Sequence, residues 1–316
     1  MAVSTKDAPV SLTTLRGSVG RRRKEGVVRA VISSAALLSL LVSLGIVVAL
    51  IGEAFLFLRD IELSWLWADG WFPRRNPPEF DVLTIFIGTI EVALIAMLIA
   101  APLGLGAAMF LSEYASPRLR RTLKPILEVL AGIPSVVLGF FALTVIHPTI
   151  VQDLLGASSA FSILAAGIGV GILTIPLVAS VSEDAMYAVP GALREAAYGI
   201  GARRRTVTTK VVFPAAVSGI VASLILGFSR AIGETMIVAI AAGATSGALR
   251  HIDPLTPGQT MTGAISSLAI GSDQVKSASG FNPFLALYFV GLLLFVITFA
   301  LNVASERFVR RVRRDY

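Results

Sequence analysis

Two small groups of polar residues interrupt an otherwise apolar chain, and both are of types that could do chemistry. The first is SRAIGETM, from Ser229 to Met236, inside an apolar segment running from about Pro214 to Ala242. Arg230 and Glu234 stand four residues apart, so on one helix they would share a face. Arg230 comes 16 residues after Pro214, which is about 24 Å along a helix axis. A lone charge at that depth in a bilayer costs about 2.5–3.5 kcal/mol on insertion scales. One reading is a structural ion pair that locks helices together. The other is a polar path in which Arg230 attracts an anion, because a guanidinium fork makes two hydrogen bonds to a tetrahedral oxyanion such as phosphate or sulfate. Glu234 would then hold the guanidinium and keep it from trapping the anion. Glu91, about ten residues into an earlier apolar segment, is deep enough to need a partner, for which Arg230 is a candidate. Glu128 is placed to snorkel or to join a cytoplasmic surface. His147 and His251 are expected at the outer surface, without the neighbouring ligands a metal needs.

The second group is EAAYGIGARRRTVTTKVVFP, from Glu195 to Pro214. Pro190 and Gly191 break the preceding helix, and Pro190 can open a new one. Glu195, Ala196 and Ala197 follow, and Gly201 is placed to end a short helix in a turn. The small Ala side chains let a partner surface approach closely. Glu195 offers a carboxylate to an arginine across an interface. A short helix and turn projecting from a membrane bundle is a lever that another protein can push. Arg203, Arg204 and Arg205 need no explanation beyond topology.

The elements that must position these groups are membrane spans. Of the 316 residues 55% are apolar and only 15% charged, well below the quarter or so usual in soluble domains. With no cysteine, a disulfide framework and a cysteine metal site are both excluded. Ala30 to Gly52 carries no charge and is longer than a signal-peptide core, so it reads as a retained first span. Further spans are expected at about Val82–Ser112, Pro125–Ile146, Ala157–Val181, Pro214–Ala242 and Phe284–Ala304. In the second, Pro102, Gly104 and Gly106 suggest a kink packed on neighbours; in the fourth, Gly167, Gly169 and Gly171 permit close helix approach. His147, Pro148 and Asp153 fall in a turn. Trp65, Trp67 and Trp71 read as an interfacial belt or a small loop core. An external loop spans 244–283, with a short helix at Met261–Ile270.

Six spans put both termini on one side. Of the 27 Lys and Arg, seven lie in 1–29, four in 112–124, five in 182–213 and five in the tail, against five on the other side and Arg230 within a span. That asymmetry places the termini and the Glu195–Pro214 stretch in the cytoplasm. It also accounts for the net charge of +7 without nucleic acid as a partner. The expected organisation is a cytoplasmic segment 1–29, a six-helix domain 30–305 containing a cytoplasmic loop 190–214, and a basic tail 306–316.

The Glu195–Pro214 stretch resembles the EAA loop of ABC-importer permeases. Glu195, Ala196, Ala197, Gly201 and Pro214 match its spacing, and Val211 and Phe213 stand where that pattern has Ile and Leu. SRAIGETM, APLGLGAAMFLSEYA (101–115) and LEVLAGIPSVVLGF (127–140) together resemble the phosphate-specific (Pst) permeases of that family. The resemblance implies an all-α, polytopic type I importer permease in a bacterial cell membrane. The EAA loop would be the coupling helix that docks on a separate ATPase, and Arg230 and Glu234 would serve phosphate translocation. The implied partners are a homologous permease (PstA-like), an ATPase dimer (PstB-like) and an external phosphate-binding protein (PstS-like). The chain has no G-x-x-x-x-G-K-[ST], so ATP and Mg would be used by the partner and no cofactor is expected on this chain. An ion-driven anion transporter or channel would also have six spans and an intramembrane charge pair, but it gives the EAA pattern no purpose. An intramembrane enzyme lacks a nucleophile–base pair.

Overall fold

The computed structural model describes residues 19–75, 77–243, 247–270 and 282–312. The polar residues 1–18, the 271–281 part of the external loop and the last four residues of the tail lie outside them. Contacts divide the chain into two units, Met1–Gly52 and Glu53–Tyr316. The first is occupied by most of helix α1 (Val19–Asp60). There Val27, Val31, Leu38, Leu41, Leu44 and Val48 are each more than half exposed. A helix with apolar side chains all round has no face to turn to water, and from Lys24 this one is long enough to cross a bilayer.

The second unit is built from helices. They are α2 (Val82–Met109), α3 (Pro117–Leu130), α4 (Ser135–Phe141), α5 (Ile163–Tyr187), α6 (Gly191–Gly199), α7 (Arg204–Val207), α8 (Phe213–Ala215), α9 (Val217–Ile232), α10 (Met236–Ala241), α11 (Met261–Ile270) and α12 (Leu285–Val312). Short antiparallel strands β1 (Gly70–Phe72), β2 (Glu79–Phe80) and β3 (Ala248–Leu249) join in the order β2-β1-β3. This small sheet is the one addition to the expected all-α class. Among the described residues five helices are long and apolar enough to span, and six if the bent pair Arg204–Ala215 and Val217–Ile232 counts as one.

Local chemistry sets the boundaries. Asp81 caps α2 by accepting from the Leu83 and Thr84 N–H groups, Ser116 caps α3 ahead of Pro117, and Ser162 caps α5 through Ala165 N–H. Small residues let α2 and α5 lie against one another. A Cβ on Gly104 would come within 2.8 Å of Val178, and one on Gly167 within 2.7 Å of Ile95. Pro102 is accommodated inside α2.

Three spans differ from expectation. The fourth runs from Ile163 to Tyr187, six residues later than Ala157–Val181, with Ser162 as its cap. The third does not begin at Pro125. Chain 117–130 is a separate amphipathic helix with no buried residue, and residues 131–134 break before α4. Pro134 disfavours helical backbone at Ile133 and itself stands at the N-cap of α4. The span then runs from Ser135 to Leu154. His147 and Pro148 lie inside it, in a π-helical continuation (Ala142–Leu154) rather than in a turn. A wider i→i+5 register tolerates the N–H that Pro148 lacks. The fifth span bends by 72° between Ala215 and Val217. It stops again at Ile232, is capped by Gly233, and resumes at Met236.

Trp71 is a core residue, packed with Phe57 and Phe80 beneath α11 and α12, whereas Trp67 is 68% exposed. The loop-core reading therefore holds for Trp71 and leaves Trp67 free to sit at an interface.

Candidate functional site

The second break in the fifth span positions the intramembrane charges. Arg230 lies in the last turn of α9, and Glu234 follows the Gly233 cap in non-helical chain. They are therefore not stacked on one continuous helix face as their spacing predicts, because the helix ends between them. Both nonetheless line one open pocket of about 550 Å³, together with Ala131 from the α3–α4 break, Leu173 and Leu177 of α5, Leu226 and Gly233. Glu234 is buried, with Oε1 at 3.5 Å from the Ile237 N–H and its backbone carbonyl accepting from Thr262 Oγ1 at 2.8 Å. Arg230 is exposed to the pocket, and among the described residues it has no ion-pair partner. Glu234 thus anchors the break to α11 instead of holding the guanidinium. Arg230 comes 13 positions after Val217 in α9, so its Cα is about 20 Å along the helix from the bend.

Glu91 is not paired with Arg230. Its Oε2 is buried without a hydrogen-bond partner among the described residues. His147 is buried rather than at the surface. Its Nδ1 lies 3.1 Å from Ser162 Oγ and its Nε2 2.9 Å from the Ser159 carbonyl, which ties the third span to the start of the fourth. Glu128 is exposed on α3. No group of three potential metal ligands occurs among the described residues.

At the other end of the bundle the EAA stretch forms α6 and the turn after it. Pro190 is the N-cap of α6, and Gly201 adopts φ +82°, a left-handed conformation that favours glycine. Ala197 is the inward-facing member of the motif, packed with Ala108, Met186, Val189, Val207 and Val212. Glu195 and Ala196 face out, beside Tyr198 at 45% and Ile200 at 87% exposure. Pro214 sits in α8, just before the bend.

Sequence reasoning missed the ion pairs around this end. Glu183, fully buried near the end of α5, receives Arg120 Nε at 2.6 Å and Lys124 Nζ at 2.9 Å, both from α3. Lys124 also pairs with Asp184, and the Arg120 guanidinium stacks 3.6 Å over the Tyr187 ring. Burial alone would push the Lys124 ammonium down, but the hydrogen bonds to Asp184 and Glu183 outweigh it and hold its pKa above the ordinary lysine value. Glu113, buried just beyond α2, receives Arg194 of α6 through Nε at 3.2 Å and Nη2 at 3.0 Å. Arg194 also donates to the Met186 carbonyl at 2.8 Å and the Val189 carbonyl at 2.5 Å. Partners lie 59 to 81 residues apart in the chain, so no local spacing pairs them. The available signal was four acidic residues, Glu113, Glu183, Asp184 and Glu195, within a region whose basic residues were assigned to topology alone.

Comparisons with known proteins agree with this architecture. Residues 80–314 match the model of the family described as "Binding-protein-dependent transport system inner membrane component". The chain is 34% identical over 230 residues to the probable ABC transporter permease protein YqgH of Bacillus subtilis, covering 70% of this chain and 74% of that one. It is 31% identical over 306 residues to the phosphate transport system permease protein PstC of Mesorhizobium japonicum, covering 91% and 90%. Among solved structures it is similar to a bacterial alginate ABC transporter in complex with a pentasaccharide-bound periplasmic protein, with TM-score 0.61, 15% identity, and 92% and 98% covered. It is also similar to the MetNI methionine ABC transporter in an inward-facing conformation, with TM-score 0.53, 19% identity, and 72% and 94% covered. Permeases of this kind are membrane subunits whose ATPase is a separate chain. With five helices among the described residues able to cross a bilayer, or six when the bent pair counts as one, an ABC-importer permease fold, and a family match over most of its length, this chain belongs to the inner-membrane permease components of binding-protein-dependent transport systems.

Proposed function

We propose that this permease imports inorganic phosphate, with Arg230 as the group that meets the anion on its way through the membrane. The observation that carries the reading is Arg230, without an ion-pair partner among the described residues, facing an open pocket of about 550 Å³. A structural arginine at such depth would be expected to be neutralised. This one keeps its donor fork available, and a tetrahedral oxyanion supplies the matching acceptors. Several relatives at about this level of identity are phosphate transport permeases by name, which favours phosphate over other oxyanions. Glu234 serves the same site by fixing the non-helical chain that ends α9.

The partners in this reading are a PstA-like homologous permease, a PstB-like ATPase dimer that binds ATP and Mg, and a PstS-like external phosphate-binding protein. The chain itself needs no cofactor. Its termini and α6 lie in the cytoplasm, and the outward face of Glu195, Ala196, Tyr198 and Ile200 docks on the ATPase. Closure of the ATPase dimer on ATP draws the coupling helices together and turns the cavity outward. Phosphate then leaves its binding protein for the pocket at Arg230, and hydrolysis resets the transporter.

The test is phosphate uptake by Arg230→Gln in cells without other phosphate carriers. Two charge-assisted hydrogen bonds in a partly solvated pocket are worth about 1.5–3 kcal/mol, so uptake should fall about 10- to 100-fold at equal expression. Unchanged uptake would remove Arg230 from the path.

A further inference from the structure

We propose that Arg194 is the joint through which the coupling helix moves the membrane core. This rests on the coupling role proposed for α6. Among the described residues, apart from apolar contacts around Ala197, the side-chain tie from α6 to the spans is this guanidinium. Its geometry is that of a joint rather than of a surface ion pair. The Arg194 side chain is 20% exposed and that of Glu113 4%. Nε and Nη2 converge on one Glu113 oxygen, while Nη1 and Nη2 take the Val189 and Met186 carbonyls. One planar group thus grips the end of α2 and the end of α5 at once. Small apolar contacts such as those of Ala197 can slide, but a fork making four hydrogen bonds to three acceptor oxygens keeps its direction.

The grip matters because α2 and α5 are already joined to each other at Gly104 and Gly167. They move as a pair, and α5 carries Leu173 and Leu177 to the Arg230 pocket. Glu195 and Arg194 are neighbours about 100° apart around α6. One faces out toward the proposed ATPase surface and the other inward to the core. A push received at the first is delivered by the second.

The experiment uses the assembled transporter in proteoliposomes, with ATP hydrolysis and phosphate uptake measured on the same preparation. Arg194→Gln and Glu113→Gln should keep the ATPase bound and hydrolysing. Phosphate moved per ATP should fall about tenfold or more, and Arg194→Lys should lie between, because an ammonium keeps the charge without the fork. Glu195→Lys is the control for the coupling reading itself and should release the ATPase. Uptake per ATP that is unchanged in Arg194→Gln overturns the proposal, as does a parallel fall of uptake and hydrolysis in a fully assembled complex. Should the parent complex move no phosphate, the substrate reading fails separately. The joint is then read without substrate. The chain has no cysteine of its own, so Ser267→Cys places a single thiol at the outer pocket formed with Arg74, Gln259 and Thr260. Its labelling by a water-soluble maleimide should respond to vanadate-trapped nucleotide in the parent and not in Arg194→Gln. Equal responses overturn the proposal.

Discussion

Replacing Glu183 by Gln should loosen α3 from α5. The Glu183 side chain is wholly buried, and Arg120 and Lys124 are 23% and 24% exposed. Removing one partner of a buried ion pair costs about 3–5 kcal/mol. Two features reduce that figure here. Both cations are partly solvated, and Lys124 keeps Asp184 as a partner. Arg120 has no such second carboxylate among the described residues and retains its place over Tyr187. A glutamine carbonyl can still accept one of the lost hydrogen bonds. The expected loss is therefore about 2 kcal/mol, most of it on the Arg120 side. The measurement is thermal stability of the detergent-purified protein, followed by the loss of monodisperse material on heating. Arg120→Gln combined with Glu183→Gln should cost less than the two single losses added together, because it leaves no unmatched guanidinium. Strict additivity, or a single substitution without effect, would refute the argument that this carboxylate holds α3 in place.

Lys124 also carries a pH signature. Its pKa is raised in the folded chain. The stabilisation is therefore complete below the unfolded lysine pKa of about 10.4 and disappears as pH rises through the higher folded value. Stability measured across the alkaline range should decline more steeply in the parent than in Lys124→Met. Gly88→Ala should destabilise by about 1–3 kcal/mol, since its Cβ would meet the Gln259 carbonyl oxygen at 2.4 Å, and backbone cannot move aside as a side chain can. The expected readout is a lower unfolding temperature. Gly201→Ala forces a Cβ into φ +82° and should cost about 1–2 kcal/mol in the turn after α6. Less ATPase should then co-purify with the chain, and its unfolding temperature should fall by a few degrees.

Much of the fold could be read in the sequence because a bilayer imposes length and polarity on every span. Val82 and Leu285 begin helices close to where the apolar segments begin, and the short helix Met261–Ile270 stands where its composition suggested. Hydropathy could not show helix breaks inside apolar stretches. Gly132, Pro134 and Gly233 are as apolar as their neighbours and differ from them only in backbone conformation. The Arg230–Glu234 spacing was read as helical for that reason, and the break at Gly233 turned a stacked pair into two residues that share a pocket. The ion pairs of Glu113 and Glu183 were invisible for another reason. Charges at the ends of spans look like topology signals until folding brings α3 and α6 against the ends of α2 and α5.

The two breaks have a consequence for lipid. Residues 131–134 and 233–235 interrupt helices beside spans, and Ala131, Gly233 and Glu234 meet at one pocket. Acyl chains offer no hydrogen bonds, so irregular backbone at membrane depth must face protein or water. That side of the protein must therefore be covered by protein or water rather than by acyl chains. The helix breaks therefore act as a compass: they fix which side of the permease turns inward, and they leave the smooth apolar side chains of α12, such as Val296 and Phe299, to meet the bilayer.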